Sequence, residues 1–301
     1  MFTLTRPEGT KPEDLHLSRR ALAGAVFGGY AVYALSAQAE PITTDSEGLV
    51  AQTVQLAAPD RFIPAYLARP AARGRFPVVV VISEVFGVHE YIRDVCRRLA
   101  KQGYVALAPD FFIRAGDPSI VSDFNEIRRI VSAASDAQVM GDLSAGLAYL
   151  RGQSFVDRKK MAVTGFCWGG AVAWLACERF KDFRAGAAWY GRISPPKPGE
   201  FLGEAERQWP IQLVADLKAP VLGLYGGKDN GIPVADVETM REMLAAAGKK
   251  GSELVVYPDA PHGFHADYRD SYRADAAKDG WARMLGHFAA NGVAPRVAPG
   301  L

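Results

Sequence analysis

The sequence predicts an α/β fold: a mostly parallel central sheet with helices on both faces, preceded by an N-terminal antiparallel hairpin. Three observations carry this. Strand-like runs alternate with helical patterns from Phe76 to Ala290, the mark of a parallel sheet covered on both sides. The run Phe76-Pro77-Val78-Val79-Val80-Val81-Ile82 is continuously apolar and β-branched, as a strand buried on both faces requires. And Gly165-Phe166-Cys167-Trp168-Gly169 sits between an apolar strand end and an Ala-rich apolar segment. That is the spacing of a nucleophile elbow with sulfur in place of the usual hydroxyl.

The chain of 301 residues opens with a segment unlike the rest. Ser18-Arg19-Arg20 holds a twin arginine, Ala21 to Ala39 carries no charge, and Ala37-Gln38-Ala39 fits a small-residue cleavage site ahead of Glu40. Residues 1–39 are therefore expected to be a twin-arginine-type signal peptide directing a periplasmic or secreted location. A retained membrane anchor is an alternative, because the apolar stretch approaches the length of a span, and a chance pattern in a cytoplasmic protein is another. Residues 40–301 suit one domain. Hydrophobic residues make up 49% of the chain and charged ones 23%, with a net charge of +2. That describes a globular protein, expected to be monomeric, with no basic run for nucleic acid and no stable membrane partner once the signal is cleaved. No metal-ligand spacing or phosphate loop is present, so no cofactor is expected. Cys96, Cys167 and Cys177 are odd in number, which leaves at least one free thiol, and Cys96 and Cys177 read as core residues.

In order, Ala51–Ala57 and Phe62–Ala68 alternate around the turn residues Pro59-Asp60 and read as the hairpin. The apolar run at 76–82 follows. Ile92, Val95, Cys96 and Leu99 then mark a helix over 90–101 by their spacing. Tyr104–Ala108 is a strand ending at Pro109-Asp110. Helical patterns cover 120–132 and 136–150. The elbow strand ends at Met161-Ala162-Val163 and its helix runs from Gly170 to Arg179. Strands at 185–190, 221–225 and 253–257 alternate with helices at 233–247 and 274–290. Residues 191–217, with Ser194-Pro195-Pro196-Lys197-Pro198-Gly199, read as a long loop, the kind that forms a wall or lid.

The chemistry gathers in loops that follow strands. Cys167 at the elbow would sit at a helix N-terminus, where free N–H groups favour a thiolate and can bind an oxyanion. Asp229, in Tyr225-Gly226-Gly227-Lys228-Asp229, and His262, in Pro261-His262-Gly263-Phe264, follow two later strands. At the carboxyl edge of a parallel sheet all three would converge, in the chain order nucleophile, acid, histidine. His265 is an alternative base, and a metal on His262 and His265 lacks a third ligand. Glu84, one residue beyond the apolar run, is either a solvated strand-end glutamate or a carboxylate that burial would make costly unless partnered.

These motifs, with Ser83-Glu84-Val85-Phe86-Gly87-Val88 and Ala108-Pro109-Asp110-Phe111-Phe112, resemble the dienelactone hydrolase family of the α/β-hydrolase superfamily from about Val50 to Phe288. The resemblance implies a carboxymethylenebutenolidase-like hydrolase that cleaves a lactone or activated ester through a thioester on Cys167, with a small molecule as its partner. It implies that Glu84 contacts the resting thiol and is displaced by substrate. It places an oxyanion hole at the backbone N–H groups of Trp168 and Val85, the former also expected from elbow geometry. It further implies two arginines for a substrate carboxylate: Arg114 fits the first position, whereas Ala266 occupies the second, with Arg269 and Arg273 close behind. Phe112, Trp189 and Tyr190, together with Phe111 and Trp168, are candidate pocket walls or, equally, core packing. A general exported carboxylesterase and a non-catalytic ligand-binding protein of the same fold are the alternative readings.

Overall fold

The computed structural model describes residues 41–202 and 206–296. The expected signal peptide and its cleavage site before Glu40 lie outside the described residues. The sheet has eight strands, in the order β1-β2-β4-β3-β5-β6-β7-β8. β1 (Leu49–Ala57) and β2 (Phe62–Pro70) form the antiparallel hairpin, with Leu56 opposite Ile63. β2 also runs antiparallel to β4 (Val105–Pro109). From β4 onward, β3 (Phe76–Ile82), β5 (Val156–Phe166), β6 (Phe183–Trp189), β7 (Val221–Gly226) and β8 (Glu253–Tyr257) are all parallel. Every residue of β3, β4 and β7 is buried, which explains runs without polar alternation.

Helices α1 (Glu90–Lys101), α2 (Phe124–Ser132), α3 (Asp136–Gly152), α4 (Trp168–Arg179), α5 (Val234–Ala246) and α6 (Ala274–Ala290) connect or follow the strands. Ile92, Val95, Cys96 and Leu99 of α1 are fully buried, as their spacing requires. The expected helix from Ile120 to Ser132 is broken. Pro118–Ile120 is a separate 3-10 turn, and the Asp123 carboxylate accepts from Asn125 N at 2.9 Å, so α2 starts afresh after it. Ser135 caps α3 in the same way, accepting from Gln138 N at 3.2 Å. α4 begins at Trp168, ahead of the expected Gly170, because the Cys167 carbonyl already accepts from Gly170 N and Ala171 N. Residues 191–217 are irregular among the described residues apart from 3-10 turns at Pro210–Gln212 and Val214–Asp216.

Cys96 and Cys177 are buried core thiols, and burial pushes both pKa values up. Beside Cys177, Glu178 is fully buried, and neither carboxylate oxygen has a hydrogen-bond partner among the described residues. Burial pushes its pKa up to about 8, against the pull of Arg179 and Lys218. The folded chain therefore holds a proton there that the unfolded chain releases near pH 4.5. Stability from this group is full below that pH and is lost as pH rises towards 8. Glu178→Gln, neutral at all pH values, should raise the melting temperature more at pH 8 than at pH 5. Equal shifts at both pH values in a thermal melt would count against a buried neutral carboxyl.

Candidate active site

The site is built at the carboxyl edge of the parallel strands. Cys167 follows β5 directly, with φ 55° and ψ −117°, an unusual conformation for a residue with a side chain. The tightness of this turn dictates its glycines. A Cβ on Gly165 would lie 1.9 Å from the Gly169 carbonyl oxygen, and one on Gly169 would lie 2.4 Å from the Ile82 oxygen. The second approach seats the start of α4 against the end of β3, and Val85 lines the same pocket as Cys167 and Trp168. Cys167 N donates to the Trp189 carbonyl at 3.0 Å, fixing the elbow to β6. Trp168 N–H opens the helix, among the donors that have no intrahelical acceptor.

His262, in the loop after β8, lines the pocket together with Cys167 on one side. On the other, its Nδ1 lies 2.6 Å from Oδ2 of Asp229, in the loop after β7. Asp229 is buried, and its Oδ1 accepts from Gly231 N at 2.8 Å and Ile232 N at 3.2 Å. Burial works to lower the His262 pKa, but the Cys167 sulfur and the Asp229 carboxylate outweigh it and push the pKa up to about 10. The three residues read from separate stretches of sequence thus meet at one edge of the sheet: Asp229 pairs with His262, and His262 lines one pocket with Cys167.

Glu84 is fully buried. Its Oε2 accepts from the Tyr268 hydroxyl at 2.6 Å and its Oε1 lies 3.7 Å from Arg269 Nη1. A solvated strand-end glutamate does not fit that setting. Despite its own burial, Arg269 is held firmly cationic by Glu84, and it also senses Cys167. Tyr268 and Arg269 were not expected as site residues. Position 266 is a buried alanine, and the guanidinium arrives from three residues further on.

His265 stands elsewhere. It is buried beside Trp189 and Trp281, its Nδ1 is 2.6 Å from the Tyr91 hydroxyl, and burial drives its pKa far down. This is a neutral core histidine rather than a base at the sulfur.

Three expected substrate contacts require correction. Arg114 lies outside the pocket: it forms paired hydrogen bonds with Asp60 at 2.8 and 2.6 Å and with Asp142 at 2.8 Å each. It ties the β1–β2 turn to buried Asp142 on α3, and its donors are committed. Phe112 packs on the Trp168 ring, 4.9 Å between centroids, and Phe111 does the same at 5.8 Å, so both support the wall from behind. Trp189 is fully buried beneath the elbow against Phe166 and His265. Tyr190 and Trp168 do line the pocket. Tyr190 has φ 38° and presents its ring edge to His262 at 5.1 Å.

The pocket encloses a volume of about 180 Å³ beside Cys167, His262 and Val85. One wall is the α4 face; the facing wall comes from the 191–217 loop through Arg192, Phe201, Leu202, Arg207, Gln208 and Trp209. The loop was expected to be a wall or lid, but nothing in its composition said which side chains would turn inward.

Comparison with known proteins identifies the family. Residues 63–291 match the family model described as the dienelactone hydrolase family. Two bacterial proteins named "Putative carboxymethylenebutenolidase" are similar over most of the chain. That of Methylorubrum extorquens is 47% identical over 284 residues, covering 92% of this chain and 94% of its own. That of Escherichia coli K12 is 43% identical over 262 residues, covering 86% and 94%. The crystal structure of "Putative Dienelactone Hydrolase" from Klebsiella pneumoniae superposes with a TM-score of 0.75 at 44% identity, covering 80% of this chain and 98% of that one. The match across nearly the whole described chain, in sequence and in fold, makes this protein a carboxylic ester hydrolase that belongs to the dienelactone hydrolase family.

Proposed function

We propose that the chain hydrolyses a lactone or an activated carboxylic ester through a thioester on Cys167, with His262 and Asp229 completing a Cys-His-Asp triad. The observation that carries this reading is the pairing of His262 with Asp229, 2.6 Å from Nδ1 to Oδ2, at a pocket that His262 and Cys167 line together. The names of the curated relatives favour a lactone.

In this mechanism the Cys167 sulfur attacks the carbonyl carbon as a thiolate paired with the His262 imidazolium. The carbonyl π electrons move to oxygen, and that oxyanion accepts hydrogen bonds from Trp168 N–H and Val85 N–H. As the oxyanion collapses, the carbon–oxygen bond to the alcohol breaks, and His262 gives its Nε2 proton to the departing oxygen. In a lactone the alcohol stays tethered to the acyl group. Neutral His262 then takes a proton from water, hydroxide adds to the thioester carbon, and collapse returns the electron pair to sulfur. Asp229 keeps Nδ1 protonated throughout and offsets the cation. In this reading Glu84, bonded to Tyr268 and 3.7 Å from Arg269, contacts the resting thiol until substrate displaces it, as the family resemblance implies.

Chromogenic esters and lactones, tested with the intact protein and with Cys167→Ala, check this directly. Turnover that disappears in the alanine variant supports it. Equal turnover in both proteins removes Cys167 from the mechanism.

We further propose that this single domain, residues 40–301, acts outside the cytoplasm after twin-arginine export. What supports it is Arg19-Arg20 ahead of an uncharged stretch ending in Ala37-Gln38-Ala39. N-terminal sequencing of exported protein should begin at Glu40. An intact Met1 terminus in the membrane fraction would favour the anchor instead.

A further inference from the structure

The pocket has a direction. Trp168, Ala171, Val172 and Leu175 all line it, and their spacing of three, four and seven residues describes one face of α4. The groove therefore follows that helix for about 10 Å, from the residue after the nucleophile to Leu175. Gln208, also on the wall, accepts a hydrogen bond from Arg179, a turn beyond Leu175. Arg207, the residue before Gln208, lines the same wall, and His262 lines the pocket beside the nucleophile.

Apart from its two ends the groove is apolar. Arg192 lines it, but its guanidinium already pairs with Glu200 at 2.9 Å. Arg207 is different. One of its Nη atoms donates to the Ala134 carbonyl at 2.8 Å, and its Nε is buried without an acceptor among the described residues. The nearby Asp136 carboxylate is engaged by Gln208 N at 2.8 Å and faces Arg179 at 4.0 Å. Burial pulls the Arg207 pKa down, with Asp136 working the other way. A guanidinium in an apolar wall, with no ion pair among the described residues, is costly unless a ligand supplies the anion.

Resting on the proposed hydrolysis at Cys167, we infer that the groove receives an acyl chain with an apolar body and a distal carboxylate, which Arg207 binds about 10 Å from the reacting carbonyl. The acyl side is assigned because the departing alcohol must face His262, and the groove leads away from His262 along α4. This carboxylate site lies on the 191–217 loop, away from Arg114 and position 266, and it favours a long half-ester over a compact acid.

Binding tests the site separately from chemistry. In a Cys167→Ala background, calorimetry with monomethyl suberate and methyl octanoate compares an anionic and a neutral ligand of equal length. The half-ester should bind roughly ten- to a hundredfold more tightly, the size of one charge-assisted hydrogen-bond pair. Arg207→Met should abolish that preference, and Arg207→Lys should keep part of it, which a purely structural arginine would not show. Monomethyl succinate, too short to reach Arg207, should show no preference over methyl butyrate. A preference that survives Arg207→Met, or none when Arg207 is present, overturns the inference. A clear preference alongside failure of the Cys167 protein to turn over p-nitrophenyl suberate half-ester would overturn the hydrolytic reading and leave the carboxylate site standing.

Discussion

Cys167→Ser is expected to fold normally and to lose ester hydrolysis by about 10³-fold or more in kcat/KM. The substitution keeps the elbow, the N–H donors of Trp168 and Val85, and the His262–Asp229 pair at 2.6 Å. What it removes is a nucleophile that ionises readily once substrate has entered. The sulfur and the Asp229 carboxylate push the His262 pKa up to about 10 against burial, so an imidazolium is available to pair with the sulfur as it attacks. A hydroxyl gives up its proton far less readily, and the alkoxide character must then develop during attack, at the cost of the barrier. Cys167→Ala should fall further, to background. Circular dichroism and thermal melting, unchanged within a few degrees, separate this loss from misfolding. A serine variant with wild-type turnover would mean that sulfur is incidental at this site.

Asp229→Asn should reduce kcat/KM by about 10³–10⁴-fold, with KM little changed. The reason lies in how the carboxylate is held. Oδ1 accepts from Gly231 N and Ile232 N, so an asparagine would keep its carbonyl oxygen there. Its amide nitrogen would then face His262 Nδ1 as a donor. Nδ1 must turn acceptor, the imidazole proton moves to Nε2, and the ring presents a hydrogen rather than a lone pair to the sulfur side. Loss of the negative charge also lowers the His262 pKa. The imidazolium of the native protein persists below pH 10 and is lost as pH rises through that value. The alkaline fall in kcat/KM near pH 10 should therefore move towards neutrality in the variant. An unchanged alkaline limb would mean that some other group holds the imidazole.

Much of the fold was legible because it is written in local pattern. The run from Phe76 to Ile82 could only be a strand covered on both faces, and Gly165 and Gly169 leave no room for a Cβ. The catalytic candidates were legible for a related reason: each follows a strand end, and parallel strands bring those ends to one edge. What was not legible depends on contacts between distant segments. That β2 pairs with β4 rather than β3 is invisible in either strand's periodicity. Arg114 stands at the expected place after Pro109-Asp110, yet Asp60 and Asp142 claim it from the hairpin turn and from α3. Trp189 and Tyr190 are neighbours of similar character. The strained backbone at Tyr190 turns one ring to the pocket while its neighbour packs under the elbow. Arg269 reaches Glu84 although position 266 is alanine, because what matters is where the guanidinium arrives.

The central claim is a covalent one, that the acyl group passes through sulfur. Intact-protein mass spectrometry, after mixing with a p-nitrophenyl ester and acid quenching within one turnover, tests it most directly. The expected result is a mass increase of one acyl group, mapped by peptide digestion to Cys167 and absent from Cys167→Ala. Turnover without any adduct on Cys167, or an adduct on another residue that disappears at the rate of product formation, would contradict it.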